Sequence, residues 1–477
     1  MKLFKPFPCF LDSILICICF LSLPISHGHS QEQLSVHQEI DRYMQDMIER
    51  YGIPGASLAV VKDGAVIHQQ YYGWSSIEHQ LPVAGHTLFR LHSLTKIFAS
   101  VAVFQLIEQG KLSLEDSIGQ YLSDLPHNWQ GIQIRHLLTH SSGLPDIAHV
   151  MAKSEEESIQ TVYQAKIAFP AGERFWYNQS NYWLLNRIIS QIESVPFEEV
   201  VYQGQFPSGS GSAIFAGNNS SIVPHRSTEY EPNEAGDLII SQHQVPAYMY
   251  GAGGLSLSLP AFLEWNEAFH QQHLLRAETI DQMWSLFHYS AGGKAPYGWG
   301  RYQSNGYPSY GFTGGWRVGF RTFPQNDLSI ILLTNGYVHS FKVDERIDYI
   351  AGLVDDALLL PQAILTEQLQ ASFLNQELSV ARSEYEEVKR NYPESKLESV
   401  INSLGYSLAS RGRIEDAIQL FIINTEDHPS SWNVWDSLAE GYEMQGNTDR
   451  AIFYYQQSLA LNPDNVHAKE RIAFLGK

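Results

Sequence analysis

One apolar pattern occurs twice between residues 404 and 463, at a spacing of 34 residues. Leu404, Gly405, Leu408, Ala417, Phe421 and Pro429 return as Leu438, Ala439, Tyr442, Ala451, Tyr455 and Pro463. Apolar residues three and four apart mark one face of a helix, and a repeat of this length is one helical pair. Each pair leaves an apolar face that its own two helices cannot cover, so the next pair must stack on it. Ala381, Tyr385 and Pro393 mark a weaker unit ahead of the two. The chain from 361 to 477 is therefore expected to be an all-α repeat domain.

The preceding part reads differently. A helix from Val36 to Arg50, with Ile40, Tyr43, Met47 and Ile48 on one face, is broken by Tyr51-Gly52-Ile53-Pro54-Gly55. Two strand-like runs follow, Ala56 to Val61 and Ala65 to Tyr72, and the Asp63-Gly64 between them is a hairpin signal. Strand texture returns only at Tyr297 to Tyr302, Tyr310 to Thr313, Trp316 to Thr322 and Leu328 to Thr334, before a closing helix from Asp344 to Leu359. Between the two strand groups lie helical runs: Ile97 to Ile107, Ser117 to Leu122, Lys153 to Ala168, a segment ending at Ile192, and Pro260 to His270. Strands at both ends of 33–358 with helices between them describe an α+β domain. Residues 203–245 are polar and without period, and a loop that long in a compact domain is usually functional or mobile.

Lys2 and Lys5 precede an apolar run from Ser13 to Ile25, with Ser26, His27 and Gly28 at its end. That is the layout of a secretory signal peptide over residues 1–28. The run is short for a membrane span, so an exported protein, periplasmic or secreted and without a membrane anchor after signal removal, is expected. All three cysteines, Cys9, Cys17 and Cys19, fall inside it. The mature chain then has no thiol for nucleophilic, disulfide or metal chemistry. A formal net charge of −20 argues against a nucleic-acid partner.

Chemistry concentrates at Phe89-Arg90-Leu91-His92-Ser93-Leu94-Thr95-Lys96. Residues three apart at a helix start share a face, so the Lys96 amine lies beside the Ser93 hydroxyl. A serine needs a neighbouring base to attack a carbonyl, and a helix N-terminus adds N–H groups beside the attacking oxygen. Alone, the pair also reads as a helix cap and a lysine. His136 and His140 are four apart and could face one metal, but no third ligand stands at a recognisable spacing, so structural roles are expected.

Four segments in order, Ser93 to Lys96, Ile134 to Leu144, Tyr177-Asn178-Gln179 and Phe312-Thr313-Gly314-Gly315, resemble the serine β-lactamase and penicillin-binding-protein superfamily. The likeness is to its class C β-lactamase, D-peptidase and esterase branch, and the C-terminal units resemble tetratricopeptide repeats. The resemblance implies an antiparallel sheet flanked by helices, with a helical lobe inserted. It implies Ser93 as the acylated nucleophile, Lys96 and Tyr177 as proton carriers, and the N–H groups of Ser93 and Gly315 as the oxyanion hole. Gln179, Thr313, Gly314 and Arg317 are implied or expected around the substrate, with no metal and no cofactor.

Two positions depart from the pattern. Gln179 replaces an asparagine, and Phe312 replaces a lysine or histidine that helps hold a substrate carboxylate. Arg317 or Arg321 is a candidate to supply that charge from along the strand. The expected function is acyl transfer from a small ester, amide or D-amino-acid peptide, with the repeats available to a protein partner. The alternative is a weakly catalytic binding or scaffolding protein acting through its repeats.

Overall fold

Asp63 and Gly64 both stand at positive φ, 52° and 73°, as a two-residue hairpin turn requires. They join β1 (Gly55–Lys62) to β2 (Ala65–Ser76). The computed structural model describes residues 35–150, 154–206, 210–216, 222–233, 237–337 and 341–476; the expected signal peptide, with its three cysteines, lies outside them. The remaining strands of the main sheet are β3 (Leu81–Pro82), β4 (Gly300–Ser304), β5 (Tyr307–Gly314), β6 (Val318–Phe323) and β7 (Leu328–Thr334). Their order is β4-β5-β6-β7-β1-β2-β3, antiparallel throughout. The N-terminal and C-terminal strands join where β7 pairs with β1, Ala56 opposite Thr334. Every residue of β7 is buried, so its Leu-Ser-Ile-Ile-Leu-Leu-Thr run reads as a central strand.

Both faces of the sheet are covered. Leu58, Val60, Ile330 and Leu332 form one core with α1 (Val36–Tyr51). Ala59, Ile331 and Leu333 belong to the other, with α2 (Thr95–Glu108) and α3 (Ser180–Glu193) in the helical lobe and α4 (Leu259–His270) against the sheet. Helix α5 (Val343–Val354) joins α1 on the first face through Ile347 and Ile350. Helix α2 is apolar nearly all round and buries Ile97, Phe98, Val101, Ala102 and Phe104 completely, which suits the middle of a lobe rather than its surface.

Several elements are shorter than the sequence pattern suggests. The charged helix spans Glu155–Val162, capped by the Ser154 side chain. Residues 117–122 hold one 3-10 turn, Ile118–Gln120. Helix α5 stops at Val354, where the Asp355 carboxylate caps a separate turn, Asp356–Leu358. Strand β4 starts late because Gly298, at φ 79°, turns the chain first. The stretch 203–245 is partly structured: Ala213–Phe215 pairs with Leu255–Ser258, which also pairs with Leu88–Arg90, and Tyr230–Pro232 pairs with Leu238–Ile240.

Beyond Leu360 the described chain is helical: α6 (Pro361–Asn375), α7 (Leu378–Asn391), α8 (Glu398–Ser410), α9 (Ile414–Asp427), α10 (Trp432–Met444), α11 (Thr448–Leu461) and α12 (Val466–Leu475). The recurring Leu404, Leu408, Ala417, Phe421, Leu438, Ala439, Tyr442, Ala451 and Tyr455 are all buried. A Cβ on Gly405 would stand 2.3 Å from the Phe421 ring, so the small residue there is set by the close approach of α8 and α9. The same core cluster continues into the sheet face under α1. Glu367 of α6 ties the two parts together: it accepts from Tyr43 at 3.0 Å and from Arg50 at 2.7 Å, and pairs with Arg346. Among the described residues no helix is long and apolar enough to cross a membrane.

Candidate active site

Ser93 lies in a 3-10 turn, His92–Leu94, that runs straight into α2. One turn along, Lys96 is fully buried, and its Nζ donates to Ser93 Oγ at 3.4 Å, Gln179 Oε1 at 2.9 Å and the Ala252 carbonyl at 2.7 Å. The Tyr177 hydroxyl donates to Ser93 Oγ at 2.8 Å, and Lys96 Nζ stands 5.0 Å from the centre of the same ring. Serine, amine and phenol, 84 residues apart at the extremes, thus meet around one oxygen. Reversed, the phenol–serine hydrogen bond is a path for the serine proton.

The end of β5 closes this site from the sheet. A Cβ on Gly314 would stand 1.9 Å from the Leu91 carbonyl oxygen, and one on Gly315 would stand 2.8 Å from the His92 ring. Gly315 also has φ 54°, so both space and backbone restrict the position to glycine. Ser93, Gln179 and Gly315 line a cavity of about 250 Å³ together with His243, Pro246 and Ala252.

Of the residues expected around the substrate, Gln179 lines this cavity, held by Lys96. Gly314 is buried against backbone. Thr313 directs its side chain to Tyr302, on the sheet face away from Phe312. Arg317 is not free to hold a carboxylate: it is buried, with Nη1 3.2 Å from Glu229 and Nη2 3.1 Å from Glu231. Arg321 is buried as well, paired with Asp344 and Asp348 under the ring of Tyr302. Neither arginine replaces the cation missing at Phe312, whose ring stacks on Tyr177 with centroids 6.4 Å apart.

Several participants are not legible from the motifs. His92 takes φ 48° immediately before the serine, and its Nε2 lies 2.5 Å from Glu229. Glu229 also faces Arg90 at 3.7 Å. Burial alone would raise the Glu229 carboxyl, but the His92 contact, with Arg317 and Arg90, outweighs it and holds the group well below the usual carboxylate range. His243 is pushed down to about 4, chiefly by burial and then by His92 and Arg90.

His140 packs its ring 4.4 Å from that of Tyr177. Its Nδ1 accepts from the Asn178 N–H at 3.1 Å, and burial, reinforced by Lys96, keeps its pKa well below the ordinary histidine value. His136 is lowered to about 4, again by burial first, and its Nδ1 accepts from the Gln133 N–H at 3.2 Å. Among the described residues neither stands in a group of three or more side chains placed to hold a metal ion. The sequence did carry one signal here: in Gly251-Ala252-Gly253-Gly254 a Cβ on Gly251 would stand 3.1 Å from the Tyr182 carbonyl oxygen, and one on Gly254 2.4 Å from the Tyr250 ring.

Comparison with known proteins bears on the family and the fold. The family model for Beta-lactamase matches residues 40–354, and that for the tetratricopeptide repeat matches residues 432–465. PbpX of Bacillus subtilis strain 168, named as a candidate penicillin-binding protein, is 25% identical over 332 residues, covering 66% of this chain and 78% of that protein. Among solved structures, the octameric penicillin-binding protein homologue from Pyrococcus abyssi superposes with a TM-score of 0.60 at 23% identity, over 70% of this chain and 81% of its own. The D-amino acid amidase of Ochrobactrum anthropi SV3 gives 0.59 at 20% identity, over 68% of this chain and 99% of its own.

Proposed function

Since the chain belongs to the Beta-lactamase family, we propose that it is a serine hydrolase working through an acyl-enzyme on Ser93. The observation that carries this is the Tyr177 hydroxyl 2.8 Å from Ser93 Oγ, with the Lys96 amine beside both. The Ser93 proton passes to the Tyr177–Lys96 pair as Oγ attacks the carbonyl carbon. The N–H groups of Ser93 and Gly315 receive the oxyanion, and such donors are each worth about 10²–10³ in rate elsewhere. Collapse breaks the bond to the leaving group, which takes a proton from Tyr177. Water then repeats the sequence on the acyl-enzyme and releases the acid.

The substrate class is a small ester, amide or D-amino-acid peptide with no anionic group close to the scissile bond. Phe312 offers no charge there, and Arg317 and Arg321 are committed to carboxylates. The amidase likeness makes D-amino acid amides a reasonable first amide panel. Residues 1–28 serve as an export signal to the periplasm or medium, and residues 361–477 as a protein-interaction domain.

Hydrolysis of p-nitrophenyl acetate by the full chain tests the chemistry. Turnover should fall at least about 10³-fold in Ser93→Ala; a variant as active as the wild type would refute the assignment.

A further inference from the structure

A second cavity, of about 390 Å³, opens on the other side of Tyr177. It shares no lining residue with the cavity at Ser93; the two meet where the Tyr177 hydroxyl touches Oγ. Its walls are aromatic: Phe175, Tyr177, Tyr289, Trp299 and Phe312. Gly292, Gly293 and Gly298 form part of the lining, all at positive φ and bringing no side chain into the space.

Two cations also line it, Lys294 and Arg301. Both are exposed, and neither side chain makes an ion pair or hydrogen bond among the described residues. That contrasts with Arg90, Arg317 and Arg321, each of which faces a carboxylate. The register explains how Arg301 reaches the site. Arg301 of β4 pairs with Tyr310 of β5, and Phe312 is the next residue of β5 on the same face. Side chains on that diagonal are near neighbours. Tyr302, the next residue of β4, points to the opposite face against Arg321.

Granted the acyl-enzyme reading above, we infer that this cavity takes the leaving group, and that the preferred leaving group is an aromatic ring bearing a carboxylate. Ser93 and Gly315 define the acyl and oxyanion side, while Tyr177, which protonates the departing atom, faces the second cavity. The ring lies among the aromatic walls, where stacking is favourable. The carboxylate sits about one ring length from the scissile bond, at Arg301 and Lys294, instead of beside it at Phe312. A guanidinium is well suited to hold it. In the step itself the ester C–O bond breaks, the acyl carbon stays on Oγ, and the Tyr177 proton goes to the leaving oxygen.

The test compares 4-acetoxybenzoate with its methyl ester and with phenyl acetate on the full chain. KM for the acid should lie about tenfold below that of the methyl ester. The double variant Lys294→Ala/Arg301→Ala should abolish that advantage and leave the neutral esters unchanged. Equal KM values in the wild type, or a loss shared by all three esters, would overturn the inference. Phenyl acetate turnover and its dependence on Ser93 report separately on the catalytic reading. If that reading fails, calorimetric titration of the Ser93→Ala chain with 4-hydroxybenzoate still decides. Binding that weakens about tenfold in Ser93→Ala/Lys294→Ala/Arg301→Ala supports the pocket, and absent or unchanged binding refutes it.

Discussion

Glu229 is 5% exposed and faces the His92 imidazole and the guanidinium groups of Arg90 and Arg317. His92 in turn packs under Gly315, so one carboxylate steadies the turn before the nucleophile and the glycine opposite it. A histidine at φ 48° is held there by its surroundings, since most side chains avoid that region. Removing one member of a buried charged network costs about 3–5 kcal/mol, because the others stay buried. Glu229→Gln should therefore destabilise the chain by about 3 kcal/mol in denaturant titration, whereas Glu231→Gln, at a more exposed position, should cost no more than about 1 kcal/mol. The folded-state pKa of Glu229 is depressed, so its contribution is complete above the unfolded value of about 4.3 and is lost as pH falls further. The gap between wild type and Glu229→Gln should narrow below about pH 4. Equal effects of the two substitutions at neutral pH would contradict this reading. Ser93, Lys96 and Tyr177 were legible because each sits in a local motif. Glu229 was not, because it stands in a polar stretch without period and its partners are 88 and 137 residues away.

At the scale of elements, strands β1, β2, β5, β6 and β7 follow the strand-like runs and turn residues visible in the sequence. Their pairing across the chain does not, since only the folded sheet sets β7 beside β1 and Arg301 diagonal to Phe312. Arg317 and Arg321 lie on one strand-and-turn segment, yet one meets Glu229 and Glu231 and the other Asp344 and Asp348. No pattern local to that segment names those partners. Helix α6 carries a second long-range contact, Glu367 against Tyr43, Arg50 and Arg346. A chain cut to residues 33–358 keeps both arginines and loses the carboxylate, together with the apolar cover from Leu369 and Phe373. That segment should melt well below the full chain by circular dichroism, or be recovered only as aggregate. An equally stable segment would show that α6 to α12 merely adjoin the sheet.

For the whole molecule, the 34-residue recurrence and the two separated strand groups were enough to outline an α+β domain followed by stacked helical pairs. They could not show that one continuous core joins the sheet to the repeats, because repeat periodicity describes contacts between neighbouring units only. Nor could they show two cavities meeting at Tyr177. The chemistry proposed for the chain depends on that meeting point, where a serine oxygen, a phenol and an amine are held by two segments of the lobe and closed by the end of a strand.

Intact-protein mass spectrometry after incubation with a fluorophosphonate reads this most directly. The full chain should gain one phosphonyl adduct, absent in Ser93→Ala and slowed at least about 10²-fold in Tyr177→Phe. A folded wild-type chain that gains no adduct, or an adduct retained in Ser93→Ala, would contradict Ser93 as the nucleophile.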